Sequence, residues 1–496
     1  VAATRSARAA TPTNFADVDP GAVGLKLLRR VTFGPMPEDI ALVNQLGYNG
    51  YLEYQLNHTA IPDQYVTDRF NGLVAGVPAL TTLNLTGEQM AALANGTLIS
   101  NEMIEATIIR AIYSKRQLYE RMVEFWHDHF NIELSENNRE IRALEDRDTI
   151  RANALGNFRD LLNASARSPA MSDYLNNNLN TKTAPNENYA REVMELHTLG
   201  VNGGYIQADV VAVARCLTGW TYYNAGVTPT SNRLTFRYIS SQHDLNAKVL
   251  SPVFNLSGSG PLTIPANQID MKDGQDVLDI LARHPSTATF IATKLCRRFI
   301  GEDCPAAVIN EVKNAFLNNG AGVVGDIKAM LRIVLRANVV YAATPRLKRP
   351  FHLMVSAIRA TSPSATVNTT SGMYTRMVRA GHAPFAWSPP DGYPDTNAYW
   401  AGQELPRWNM GVELPPSSSP AGSNISGLSL DVTSLLAGNN TSSGVTDRLN
   451  SLLVQGEMSD SDKTAINGYL ASTTFNQQSR NETVGLALSC PSFQWI

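Results

Sequence analysis

The chain has 496 residues, 43% hydrophobic and 17% charged, enough to bury one large core or two to three smaller ones and too apolar for a disordered chain. Its 41 basic and 44 acidic residues leave a formal net charge of -3, which supplies no field for nucleic acid or an anionic membrane. No apolar run reaches the roughly 18 residues that span a bilayer, because Arg336 interrupts the best candidate, IVLRANVVYAA.

In chain order, the opening VAATRSARAATPTNFADVDP is rich in Ala, Thr and Pro, a composition common just after a removed export signal. A flexible segment 1–20 and an exported (periplasmic, cell-surface or extracellular) location are expected, with a trimmed cytoplasmic chain as the alternative. Residues 21–494 are expected to form a single large, mainly α-helical domain. Near its start, Gly34 and Gly47 end helices, and Pro37 and Asn49 precede or open them. Over 102–130, Ile104, Ile108, Ile109, Ile112, Leu118, Met122 and Phe125 recur at spacings of three and four, which predicts a long amphipathic helix or a broken pair.

Further helices are predicted over 146–166, 189–199, 208–217, 275–282, 287–300, 306–318, 325–335 and 349–360. Alternation in RLTFRYIS predicts a small β-hairpin insertion at about 221–265. The Pro-, Gly- and aromatic-rich stretch 383–411 is predicted to be an ordered irregular loop, and the Ser-, Gly-, Asn- and Thr-rich stretch 415–446 a flexible connection.

Four cysteines permit disulfides without requiring them. Gly301 ends a helix between Cys296 and Cys304, so the chain can fold back there, and a short Cys296–Cys304 bridge is expected. Cys216 reads as a buried small hydrophobe, with Cys490 as its one remaining partner.

Two segments carry the candidate chemistry: EFWHDHF at 124–130 and NENYAREVMELHTLGVNGGY at 186–205. Residues three apart lie about 60° apart on a helix, so Glu124 and His127 share one face and Glu192 and Glu195 another. An ExxH pair facing further carboxylates is how helical bundles assemble two-metal sites, although the second segment is ExxE without a following histidine at helical spacing. His197 is about 200° from Glu195 and leaves that face while the helix is regular. Lying just before Gly200, it also has the bland role of a cation at a helix C-terminus. His127 and His129 form an HxH pair that converges on one ion only if the helix ends near Asp128.

The competing reading is a buried polar network in which Arg191 pairs with Glu195 and the histidines bond backbone carbonyls. Metal-free acid/base chemistry by a carboxylate and a histidine is a third. Elsewhere, His243, Asp244 and Lys248 are candidates for a further ligand or a substrate clamp, or for an exposed loop with an Asp cap. Trp387 and Trp400 are candidates for a sugar-binding cleft, or for a loop packed on helices. His284 precedes Pro285 and a Ser286 N-cap.

These motifs resemble those of a large bacterial family catalogued as domain of unknown function 1800. The likeness rests on GLKLLRRVTFGPMPEDIALVNQLGYNGYLEYQL, FWHDHFN, the long NENYAREVMELHTLGVNGGYIQADVVAVARCLTGWTY, the HD…K segment, LARHPSTATFIATKLCRRFI, the proline-rich loop and the closing LALSCPSFQWI. It implies an exported bacterial protein, often encoded beside a second exported family of sulfatase-like type, with no settled reaction.

The leading expectation is a metal-dependent enzyme, with hydrolysis favoured. A divalent ion would be held by His127, His129, Glu192 and Glu195, with Glu124, His197 and Arg191 as acid/base or supporting groups and His243, Asp244, Lys248, Trp387 and Trp400 toward substrate. The alternatives are a non-catalytic extracellular scaffold that binds a polysaccharide or a partner, and a di-metal oxidoreductase.

Overall fold

A computed structural model describes residues 20–439 and 441–496, so the expected flexible N-terminal segment lies, but for its last residue, outside the described residues. Among the described residues are 25 α-helices and seven strands of two to four residues, a mainly α architecture. Among these residues no helix is long and apolar enough to cross a membrane. Helices form where the apolar spacing placed them: Lys272–Arg283, Pro285–Phe299, Ala306–Leu317, Ile327–Val334 and Pro350–Thr361. The long pattern over 102–130 is a broken pair, Gly96–Tyr113 and Gln117–His129, joined through Ser114. The helix Pro285–Phe299 is capped by the His284 ring, whose Nδ1 accepts from the Ser286 N–H at 3.0 Å, not by the Ser286 hydroxyl.

Three expectations are corrected. The insertion at 221–265 holds two separate antiparallel pairs, Trp220–Tyr222 with Phe236–Tyr238 and Lys248–Leu250 with Leu262–Ile264. The stretch read as a flexible connection contributes Ala421–Gly422 and Leu428–Asp431 to a three-stranded antiparallel sheet with Ala365–Val367. Leu428 and Leu430 alternate inward from that sheet, a period-two signal too short to stand out among the serines and glycines. The loop at 383–411 is irregular only in its first part, since Asn397–Ala401 and Glu404–Glu413 are helical.

The apolar interior divides into two clusters. One runs from Leu27 to Val340 and includes the helix Gln117–His129; the other joins Phe33 and the end of Gly96–Tyr113 to residues between Phe351 and Phe493. All twelve residues of Pro350–Thr361 are buried, so its polar members must be paired inside the protein. Arg359 donates to the Gly34 carbonyl and to Asp39 Oδ2, each at 2.6 Å. The chain's end is tied to the segment preceding this helix, with the Arg346 and Ile496 backbones exchanging two hydrogen bonds at 2.8 Å.

The seam between the clusters is ionic. Asp128 accepts from Arg298 and, at 2.7 Å, from Arg349; Asp395 accepts from Arg349, from Arg298 at 3.1 Å and from Arg346 at 3.3 Å. Burial opposes charge on Asp395, but the three guanidiniums hold its carboxyl far below the usual range. Gly392 lets the 388–395 loop reach this point: its φ is +75°, and a Cβ there would collide with the Asp128 carbonyl oxygen. Replacing Asp128 by Ala leaves two buried guanidiniums short of a partner and is expected to lower stability by about 3–5 kcal/mol. Denaturant unfolding measures this, and a loss below about 1 kcal/mol would show that Asp395 alone holds the seam.

Candidate functional site

The helix Gln117–His129 is amphipathic, and its polar stripe Glu120, Glu124, His127 faces a small cavity of about 50 Å³ closed by Phe33, Phe351 and Phe385. Every member of the stripe is engaged. Glu120 accepts from Arg151 at 2.9 Å, and Arg151 also donates to Asp146 at 2.9 Å. Glu124 accepts from His352 Nε2 at 2.6 Å and lies 3.3 Å from Arg121. His127 donates from Nε2 to Asp146 at 2.7 Å and accepts at Nδ1 from Arg142 at 2.9 Å. Burial, assisted by Arg142, brings the His127 pKa down to about 4, so the ring is neutral with no free lone pair.

His129 turns the other way. Its Nε2 donates to the His197 carbonyl at 3.0 Å; the His129 ring is buried among Phe130, Phe158 and Phe290, and the His197 ring against Phe130 and Tyr189. The helix Asn188–Glu195 ends where Gly200 turns at φ +79° and returns its N–H to the Met194 carbonyl. His197 follows that end but points into the core rather than capping it. Burial and then Lys294 lower its pKa to about 3, which excludes the cationic role.

Glu192 and Glu195 remain on one partly exposed face of Asn188–Glu195, away from both histidines of the earlier segment. Neither has an ion-pair partner among the described residues; Glu195 lies 3.5 Å from the Tyr205 hydroxyl. Burial and then the Glu195 charge raise the Glu192 pKa, with Asp391 adding to the repulsion. Arg191 pairs instead with Glu187 at 3.2 Å and Gln207 at 2.9 Å. Beyond this face stand Tyr174, whose hydroxyl bonds the Ser388 carbonyl, Glu133, which accepts from Ser388 at 2.7 Å, and Trp387, which donates to Asp391 at 3.0 Å. Lys294 is close enough to Asp391 to feel its charge, and burial lowers its pKa to about 8.

The remaining expected site residues are dispersed. His243 donates from Nδ1 to the Thr218 carbonyl at 2.9 Å, and its Nε2 lies 3.3 Å from Asp273. Lys248 is wholly buried and bonds Asp273 and the Asp244 carbonyl, while Asp244 pairs with Arg215 at 2.7 Å. This group pins the second strand pair to the helix Lys272–Arg283 and offers no amine to a substrate. Trp400 is 2% exposed with its indole N–H on the Pro394 carbonyl at 2.8 Å, so it belongs to the loop's packing. Cys296 and Cys304 are free thiols in contact, so the expected bridge is not formed; Cys216 and Cys490 are buried in different clusters.

Sequence reasoning missed Asp146, Arg142, Arg151, Glu145 and His352. Residues Glu145–Arg151 form a π-helical turn, a feature frequent at functional sites, which aims Asp146 at His127 and Glu145 the other way. Glu145 is buried near Tyr189, Ser168 and Arg142, and burial raises its pKa to about 7. One available signal was a histidine and an arginine within the otherwise apolar run PFHLMVSAIRA, since a buried helix tolerates them only with partners.

The fold is mainly α-helical, with an arginine–carboxylate seam and an acidic face on one motif helix. The chain belongs to the family described as Protein of unknown function (DUF1800), whose model matches residues 26–495, nearly the whole chain. No curated protein and no solved structure matches it significantly.

Because Glu145 carries a folded-state pKa above its unfolded value of about 4.3, its contribution to stability is complete below that pH and is lost as pH rises through about 7. Glu145→Gln is expected to flatten melting temperature across this window; an unchanged slope would assign the dependence to another group.

Proposed function

We propose that the chain is an exported hydrolase whose acid/base pair is Glu192 and Glu195, acting on a neutral or cationic hydroxyl-rich polymer such as a polysaccharide. The observation that carries this reading is selective pairing. Glu120, Glu124, Asp128, Asp146 and Asp395 are all tied to arginines, whereas Glu192 and Glu195 share a partly exposed helix face without an ion-pair partner among the described residues. The raised pKa of Glu192 suits a general acid that protonates a leaving oxygen, and Glu195 beside the Tyr205 hydroxyl suits a base that orients water. The acidic surroundings, with Glu133 and Asp391 nearby, disfavour polyanions. Trp387 and Tyr399 offer aromatic surface to sugar rings.

The divalent ion suggested by the sequence does not fit the expected four ligands. Both His127 nitrogens are engaged, His129 faces the opposite side, and among the described residues no group of three or more His, Cys, Asp or Glu is arranged to hold a metal. No step is therefore assigned to it. A non-catalytic polysaccharide-binding protein is the second reading, supported by Tyr399 being 44% exposed beside Trp387.

The test is release of reducing ends from a panel of neutral and amino-sugar polysaccharides. Glu192→Gln and Glu195→Gln should each lower kcat/KM by about 10²-fold or more while leaving melting temperature nearly unchanged. Wild-type kcat should fall on the alkaline side, as Glu192 loses its proton. Binding without cleavage would favour the second reading, and full activity in both variants would remove this site. Export also bears on the thiols: in protein isolated from its native host, Cys296 and Cys304, free but in contact here, should be found joined in a non-reducing peptide map, and two unlinked thiols would argue for a reducing location.

A further inference from the structure

Past the end of the helix Asn188–Glu195, His129 and His197 leave three ring nitrogens without hydrogen-bond partners among the described residues: His129 Nδ1 and both nitrogens of His197. Each side chain is only 1% exposed. An unpartnered buried polar atom costs about 1–3 kcal/mol, and since each neutral ring carries one N–H and one lone pair, a lone pair on each ring is left to be taken up. The His129 ring has the orientation typical of a metal ligand, with one N–H donated to a backbone carbonyl, that of His197 at 3.0 Å, which fixes the tautomer and leaves Nδ1 as a lone pair. The two ring centroids are 6.0 Å apart. An ion about 2 Å from one nitrogen of each ring is compatible with centroids about 6 Å apart once those nitrogens are turned toward one another.

We propose that His129 and His197 form a two-coordinate site for a soft monovalent metal ion, of the Cu(I) or Ag(I) class. The charge follows from the surroundings. Phe125, Trp126, Phe130, Phe158 and Phe290 lie around His129, among the described residues no third ligand of the His, Cys, Asp or Glu type is arranged with the pair, and Lys294 is near both rings. Two neutral imidazoles leave a divalent ion with its full charge in an apolar enclosure, where the desolvation penalty is largest. A monovalent ion carries half that charge, accepts a coordination number of two, and gains from the aromatic faces.

This site does not depend on Glu192 or Glu195 acting in catalysis, so the two ideas stand or fall separately. The experiment supplies Cu(I) under ascorbate, both to the folded protein and during refolding, and removes loose copper with a competing chelator. One equivalent should remain, and X-ray absorption at the copper edge should show two nitrogen neighbours. His129→Phe and His197→Phe should each weaken retention at least tenfold, with Glu192→Gln unchanged. Sulfur in the copper shell would place the ion on the cysteines, and loss of all copper to the chelator would leave only buried water; either overturns the proposal. Equally tight retention of Zn(II) would overturn the monovalent assignment. If the histidine variants do not fold, the neighbour shell of the wild-type protein decides.

Discussion

Two carboxylates, the buried Asp128 and the largely buried Asp395, shared among Arg298, Arg346 and Arg349, are the interaction on which the remaining architecture depends. The apolar interior is divided, and the helices on either side of the division bring charges with them because their other faces are already used. Buried charges are tolerated only when each finds a directed partner, so the geometry of this group is tightly specified. It fixes the C-terminal end of Gln117–His129, the start of Pro350–Thr361 and the 388–395 loop at one point. The close approach of Gly392 to Asp128 follows from the same requirement.

That constraint also separates framework from candidate chemistry. On Gln117–His129, Glu120, Glu124, His127 and Asp128 all meet arginine or histidine partners, which leaves them little freedom to accept a proton or a ligand. On Asn188–Glu195 the carboxylates face outward without an ion-pair partner among the described residues, and Arg191 is drawn to Glu187 and Gln207. The helix end after Glu195 then turns His197 inward. The π-helical turn at Glu145–Arg151 links the two regions: Asp146 completes the His127 network on one side, and Glu145 sits near Tyr189 of the motif helix on the other.

Much of the helical framework was legible because apolar spacing is a local property. Ile104 to Phe125 announced the paired helices, and the run PFHLMVSAIRA announced a buried one. The strands at 421–431 were not legible, since Leu428 and Leu430 give only one repeat of an alternation. In the candidate site, the helical geometry of Glu192 with Glu195 and of Glu124 with His127 could be read from spacing alone. Which partner each would meet could not: Asp146 and Arg142 capture His127, and His352 captures Glu124, from positions 15 to 228 residues away. The expected gathering of His127, His129, Glu192 and Glu195 relied on two segments facing one another, and relative rotation of helices is not encoded in the spacing of either.

By itself, therefore, the sequence determined the family, the mainly helical fold and the fact that Glu192 and Glu195 share a face, because each of these rests on motif identity or on periodicity within one segment. Only the tertiary structure decided that Gln117–His129 would serve the seam, that His129 and His197 would meet in an aromatic enclosure, and that the two glutamates would stay unpaired. Those outcomes depend on where arginines from distant segments arrive, and a buried guanidinium takes whichever carboxylate the packing of the helices brings within reach.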